Sequence, residues 1–290
     1  MPDPQVPIAL VTGATSGIGE ITAQELVRQG YHVVLLARNA EKAEKTRASI
    51  AATTTPGLVD VLLCDLSDFD QVRHAATEFC RKYSRLDLLV NNAGLLFGQP
   101  RQLSSQGDEL TLATNHLGPF LLTALLLDRL RQSAAGRIIN VASMAYKIAN
   151  PRLDDLNQER SYSPMRQYGN TKLYNIVFTQ ELARRLREKG IANVITHSLH
   201  PGTVATGFGS ASGGIMTLGI RLVRPFLISA DKGAETSIFL ATDEQVGKSS
   251  GGFFAKKKAE AVKHDFNTPE NARQLWDLSE SMVQHNFFQD

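Results

Sequence analysis

The sequence predicts an α/β fold: an open, doubly wound parallel sheet with helices on both faces, in a single domain over residues 1–290. Three observations predict it. Short apolar runs alternate with longer helical patterns from residue 8 to residue 199. A glycine-rich turn follows the first apolar run and opens the first helical pattern. No fixed-period repeat and no low-complexity linker divides the chain.

The elements follow in order. Ile8–Val11 reads as a strand and Ile18–Gln29 as a helix stopped by Gly30. Tyr31–Ala37 is a second strand and Glu41–Ala51 a helix. Leu58–Leu63 and Leu86–Val90 are strand-like, with a helix at Asp68–Lys82 between them. A long helix spans about Gly107–Arg131, followed by a strand at Arg137–Ala142. Arg166–Lys189 is helical and Ala192–Leu199 is a strand. Residues 207–228 turn apolar and glycine-rich, which reads as an inserted loop or helix pair beside the substrate. Residues 269–284 read as a C-terminal surface helix. Right-handed crossovers between such units leave the doubly wound sheet as the leading topology.

Composition narrows the function. Of 290 residues, 42% are hydrophobic, enough for a sizeable core, and the net charge is +2. So even a balance argues against a nucleic-acid partner, and the short run Lys256–Lys258 reads as a solvated turn or edge. Cys64 and Cys80 stand in no metal or redox spacing, which predicts a reducing, cytoplasmic setting. The start, MPDPQVPIAL, has no basic segment and no long apolar run, so no signal peptide or anchor is expected. Val204–Ile220 is uncharged but broken by five glycines, and stable membrane insertion is not expected there. No metal-binding or nucleophile-elbow motif occurs, and no catalytic metal is expected.

The turn Thr12–Gly19, TGATSGIG, carries the first chemical signal. Glycines let a backbone turn sharply and approach a pyrophosphate, and the helix N-terminus offers unpaired N–H groups to the anion. Gly13, Thr15, Ser16, Gly17, Ile18 and Gly19 are therefore candidate cofactor contacts. An NAD site would want an acidic side chain after the second strand. This chain has Arg38 and Asn39 there, and the guanidinium suits a phosphate, so NADP(H) is expected and NAD(H) is the less favoured alternative.

From this turn onward the chain resembles the short-chain dehydrogenase/reductase family, in its smaller single-domain branch, which implies a Rossmann-type fold. The glycine spacing matches that branch's T-G-x-x-x-G-x-G. Asp65-Leu66 follows the third strand, where the family's Asp contacts adenine. Asn91-Asn92-Ala93-Gly94 matches N-N-A-G, with Asn92, Ala93 and Gly94 implied at the cofactor. Asn115 stands in the family's N-x-x-G context, Ser143 follows the fifth strand, and Tyr168-Gly-Asn-Thr-Lys172 matches Y-x-x-x-K. Pro201-Gly202 follows the sixth strand, with Thr203 after it, and these three are implied at the cofactor too. The finer texture is similar to the retinol-dehydrogenase-like group: LLARNAEKAEK, Asp154–Asn157, Ser161–Pro164 and NTKLYNIVFTQELARRL.

The residue types suit the implied reaction. A phenol is normally too weak an acid to work as a base at neutral pH, and a neighbouring cation favours its ionised form. A lysine four residues on lies one helical turn away on the same face. Of the six tyrosines only Tyr168 has a lysine at that spacing; Tyr162 has Arg166, but Pro164 breaks the helix between them. Tyr168 and Lys172 are expected to bind cofactor and exchange the proton, with Ser143 stabilising charge on the substrate oxygen. The resemblance gives Asn115 a relay role, its backbone holding a water near Lys172. His197 and His200 read as structural.

The expected substrate is a small molecule, a lipophilic or bulky alcohol or its ketone or aldehyde. Leu95-Leu96-Phe97, Met144–Tyr146 and the 208–228 loop should ring it, with Leu95, Met144 and Phe208 as candidate contacts. The competing readings are an epimerase or dehydratase and a non-catalytic NADP-sensing regulatory protein. The family implies a homodimer or homotetramer through the two long helices, with residues 149–165 as an obstacle.

Overall fold

The computed structural model of the chain describes residues 5–53, 58–202 and 229–288. Eight strands form one sheet in the order β3-β2-β1-β4-β5-β6-β7-β8. They are β1 Ile8–Thr12, β2 His32–Ala37, β3 Val59–Leu63, β4 Leu88–Asn91, β5 Gly136–Val141, β6 Val194–His200, β7 Phe253–Ala255 and β8 Lys258–Glu260. The first seven run parallel, and the order reverses between β1 and β4, as in the expected doubly wound sheet. The departure is β8, which pairs antiparallel with β7 through a turn at Lys256-Lys257, both at positive φ. The short lysine run is thus a turn and an exposed edge.

The helices are α1 Gly17–Arg28, α2 Ala40–Ala51, α3 Phe69–Lys82, α4 Leu110–Arg131, α5 Pro164–Glu188, α6 Ala230–Thr242 and α7 Pro269–Val283. Their starts follow from capping chemistry. The Asp68 carboxylate accepts from the amides of Asp70 and Gln71 at 3.1 Å each, and Arg81 and Lys82 suit the C-terminal end of α3. α4 starts three residues later than the sequence predicts. Gly107 sits at φ +91°, outside a helix, and Glu109 makes the cap by accepting from Leu112 N at 2.8 Å. α5 starts two residues early because Pro164 fits the first helical turn. Helix α6 and strands β7 and β8 have no counterpart in the sequence reading.

Both faces of the sheet are packed, so strand residues alternate between two cores rather than between core and water. Ile8, Leu10, Val34, Leu36, Leu89 and Ile138 face the core beneath α3, α4, α5 and α7. Ala9, Val11, Val33, Leu35, Val90 and Ile139 face the one beneath α1 and α6. Helix α4 is long and apolar enough to cross a membrane, but most of it is buried in the first core. Across α4 and α5 lies α7, whose Trp276 is 2% exposed and packs 5.2 Å from Phe120, 5.7 Å from Phe178 and 4.6 Å from Phe287. These are the helices through which an oligomer was expected.

Of the polar clusters among the described residues, two tie strands to their neighbours. At the N-terminal ends of the strands the Asp60 carboxylate accepts from Tyr83 and pairs with His32 at 2.7 Å and Lys82 at 2.8 Å. The other runs through the first core. Asn91 Nδ2 donates to Asn140 Oδ1 at 2.9 Å and to Thr123 Oγ1 at 3.0 Å, and Asn140 Nδ2 donates to Thr179 Oγ1 at 2.9 Å. Thr179 donates on to the carbonyl of Asn175 at 2.6 Å, so β4, β5, α4 and α5 share one network. Strand residues Asn91 and Asn140 are register partners, which is why their amides meet.

Candidate active site

The glycine turn has the shape its spacing implies. Gly13 and Gly17 take φ of +64° and +56°, a region that side chains disfavour. A Cβ on Gly19 would lie 2.4 Å from both Gly13 O and Asn92 Nδ2, so α1 packs there only with glycine. Ser16 is exposed at the N-cap and its side chain makes no capping bond, while Thr15 and Ile18 are half-buried beside it. Asn92 fastens the turn to β4: its Nδ2 donates to Thr12 O at 2.9 Å and Gly13 O at 3.3 Å. Thr12 Oγ1 accepts from the amides of Asn92 and Ala93 at 3.0 and 2.9 Å.

Around this turn the other cofactor candidates gather at the C-terminal ends of β2, β3, β4 and β6. Arg38 is exposed just beyond β2. Asn39 is exposed too, but its Oδ1 accepts from Lys42 N at 2.8 Å and so caps α2. Asp65 accepts from Ser67 N and Oγ at 2.9 and 2.7 Å, which holds its carboxylate at the start of the loop after β3. Leu66 is buried, and a Cβ on Gly118 would lie 2.1 Å from its carbonyl oxygen. Pro201 and Gly202 follow β6, with Gly202 at φ +94°. Thr203 lies outside the described residues, as do Phe208 and the 207–228 loop. A turn without room for Cβ, an uncapped helix N-terminus and a cation beyond β2 fit a phosphorylated dinucleotide.

The proton-carrying side chains meet at the end of β5. Tyr168 and Lys172 lie in α5, 8% and 3% exposed. Lys172 Nζ donates to Val141 O at 3.0 Å and stands 5.4 Å from the Tyr168 ring centroid. It passes directly over Gly94, where a Cβ would lie 2.8 Å from Nζ. Ser143 follows β5; its Oγ accepts from Ala145 N at 3.2 Å and is hydrogen-bonded to the Tyr168 side chain.

Burial decides the protonation states. It raises Tyr168 well above an ordinary phenol, and the Ser143 hydrogen bond pulls the other way without reversing it. Burial also pushes Lys172 down to about 8. At neutral pH the pair is thus a protonated phenol beside a mostly charged ammonium. Ser143 Oγ accepts from the Ala145 amide, and its one proton can be given to the Tyr168 oxygen. The phenol then keeps its own proton for a further acceptor.

Asn115 does not sit in regular α-helix. Residues Ala113–Leu117 form a π-turn within α4. Its Oδ1 accepts from Leu95 N at 2.8 Å, and its Nδ2 donates to Leu95 O at 2.9 Å and Thr171 Oγ1 at 3.2 Å. Thr171 donates in turn to Tyr168 O at 2.8 Å. The backbone carbonyl of Asn115, which the resemblance reserves for a water, accepts from Asn175 Nδ2 at 3.0 Å. His116 and Asn175, both buried, carried no signal in the sequence because their partners lie on other elements.

Among the described residues, only part of the expected substrate wall lies at the site. Leu95 and Met144 are half-buried near the site, and Met144 N donates to His200 Nδ1 at 3.3 Å. Leu96 and Phe97 are buried instead, and Tyr146 turns into the core edge-on to Phe253. His197 accepts from Gly252 N at 3.1 Å and meets Ser249 O at 2.9 Å, a structural arrangement. Tyr162 precedes α5 and donates to Glu109 Oε1 at 3.1 Å.

Comparison with known proteins agrees with the fold. The family model for short chain dehydrogenase matches residues 7–213. Mouse retinol dehydrogenase 12 is 36% identical over 95% of this chain and 86% of its own length. Human retinol dehydrogenase 14 is 39% identical over 94% of this chain and 85% of its own. An uncharacterised protein of Mycobacterium paratuberculosis superimposes with a TM-score of 0.77 at 31% identity, over 98% of both chains. The NADP complex of Pseudomonas aeruginosa RhlG superimposes with a TM-score of 0.66 at 25% identity, over 85% of this chain and 93% of that one.

Proposed function

The chain belongs to the short-chain dehydrogenase family, and from that premise we propose that it is an NADP(H)-dependent oxidoreductase interconverting a lipophilic alcohol and its ketone or aldehyde. The observation that carries the reading is the buried group at the end of β5. There Ser143 is hydrogen-bonded to Tyr168, and the Lys172 ammonium stands 5.4 Å from the ring, beside the glycine turn. The retinol dehydrogenases among its relatives support an alcohol substrate, and RhlG with NADP supports the cofactor class.

NADPH, when bound, supplies the hydride. Gly13, Gly17, Gly19 and the N-terminus of α1 would hold its pyrophosphate, Asp65 its adenine end and Arg38 its additional phosphate. The protein's own residues then manage the proton. Ala145 N–H holds the Ser143 oxygen, and the Ser143 hydroxyl donates to Tyr168. The Tyr168 proton is thereby directed to the substrate oxygen as negative charge develops there. The nearby Lys172 ammonium stabilises the phenolate left behind, and its bond to Val141 O fixes where that charge stands. In the oxidative direction Tyr168 takes the proton back. Burial raises the phenol's pKa and so favours the protonated form, the one that gives a proton in reduction.

The test is a panel of apolar ketones, aldehydes and alcohols with NADPH and NADH. Tyr168→Phe should lower kcat/KM by roughly 10²–10⁴-fold, the span of general acid catalysis, while NADPH still binds. Arg38→Asp should shift preference toward NADH; an unchanged preference refutes the role of Arg38. NADPH binding without turnover on any substrate would favour the regulatory alternative.

A further inference from the structure

We propose that Asn175 and His116 are positioning residues for the proton chemistry: a one-way chain of hydrogen bonds from Ser279 through His116 and Asn175 ends on the carbonyl of Asn115 and sets the π-turn against the active site. The chain rests on the reading of Tyr168 as the acid. His116 is 1% exposed, with Nδ1 3.3 Å from Asn175 Oδ1 and Nε2 3.0 Å from Ser279 Oγ.

Donor accounting gives the chain its direction. The Asn115 carbonyl can only accept, so Asn175 must face it with Nδ2, as it does at 3.0 Å. Its Oδ1 then faces His116 Nδ1, and two acceptors there would repel, so Nδ1 carries the proton. Burial pushes His116 down to about 4, so the ring is neutral and Nε2 is an acceptor. Ser279 has one proton for two acceptors, Leu275 O at 2.7 Å and Nε2 at 3.0 Å, and shares it between them as a three-centre bond. From the ring onward each donor points toward Asn115, and such aligned dipoles reinforce one another.

The far end of the series touches the chemistry. A π-turn widens a helix by one residue and is often found at functional sites. Here it lets Asn115 clamp both backbone groups of Leu95 and reach Thr171, which bonds the Tyr168 carbonyl. Gly94, next to Leu95, is the residue over which Lys172 passes. A shift of Asn115 therefore moves the loop above the ammonium and the turn bearing the phenol together. Helix α7, distant in sequence, becomes part of the site's support.

The experiment compares wild type with Asn175→Leu, which keeps the volume and removes the donor. With NADPH and a reducible ketone, kcat per NADPH-binding site should fall about tenfold, the effect of one lost hydrogen bond on a barrier. KM for the ketone and the NADPH Kd should stay within about twofold, and the solvent deuterium isotope effect on kcat should rise. A lower melting temperature with kcat per site and isotope effect unchanged would mean a merely structural role and overturn the proposal. Ser279→Ala removes the first donor with a smaller change, so it decides the matter where Asn175→Leu does not fold: kcat per site should fall severalfold, and an unchanged value overturns the proposal. Ring ¹⁵N shifts of labelled histidine read the chain without turnover. His116 should be the Nδ1–H tautomer, and Nε2–H would overturn the direction argued here. A wild type inert on all carbonyls would defeat the proposed function instead, leaving that tautomer to decide the chain.

Discussion

Replacing Lys172 by methionine should make the protein more stable while destroying its activity. The side chain is 3% exposed, and burial lowers its pKa from the ordinary 10.5 to about 8. At neutral pH the folded state therefore carries a charge it would rather shed, at a cost of roughly 3 kcal/mol. Methionine has a similar length and no charge, but it leaves Val141 O without its 3.0 Å donor, a loss of roughly 1 kcal/mol. The net gain is about 2 kcal/mol. For a chain of 290 residues, with an unfolding entropy of about 2 cal/mol/K per residue, that raises Tm by about 3 °C. The pH dependence has a definite sign. Below pH 8 lysine is charged in both states and the cost is complete. Between about 8 and 10.5 the folded state releases its proton first, so the wild type gains on the variant. Above that range the advantage of methionine disappears. Thermal melts of both proteins from pH 7 to 11 read this directly. A Lys172→Met protein that melts below the wild type at pH 7, with a gap that does not change with pH, would refute the account of Lys172 as a destabilising buried charge.

Three further outcomes are expected. Gly19→Ala should weaken NADPH binding at least tenfold in a fluorescence titration, because its Cβ would press on Gly13 O and Asn92 Nδ2 at 2.4 Å and push the turn out of shape. Tyr83→Phe should lower stability by about 1–2 kcal/mol in urea melts near neutral pH. The His32 and Tyr83 hydrogen bonds and the Lys82 ammonium hold the Asp60 carboxyl well below the usual carboxylate range. That contribution is therefore present above about pH 4 and lost on acidification, so the gap between Tyr83→Phe and wild type should close below it. Trp276→Ala should cost about 3–5 kcal/mol, seen as a lower urea midpoint, because the ring is buried against Phe120, Phe178 and Phe287.

What could be read from the sequence was what depends on neighbours along the chain. Strands β1 to β6 are apolar runs bounded by turn residues, and a sheet covered on both faces makes such runs conspicuous. Tyr168 and Lys172 could be paired because one helical turn brings them together, and the glycines at 13, 17 and 19 because each does a local backbone task. Strands β7 and β8 have three residues each, too few to show a period. Tyr146 and Phe97 were placed at the substrate by proximity in the chain, but they are buried, and Tyr146 packs edge-on to Phe253. The link among Asn115, His116, Asn175 and Ser279 joins α4, α5 and α7, and no pattern within any one of them announces it. Asn39, a candidate cofactor contact, also caps α2 with its Oδ1.

The polar network through Asn91, Asn140, Thr179 and Asn175 has a consequence for how the reacting phenol is aimed. An oily contact between helix and sheet tolerates sliding, since one methyl packs much like another. Paired amides do not: shifting α5 by a single position would strand several buried donors and acceptors at once, at about 1–3 kcal/mol apiece. The alignment of α5 is thereby digital. Tyr168, about three turns upstream of Thr179 on a continuous helix, inherits that alignment, as if the far teeth of a key determined where its tip comes to rest.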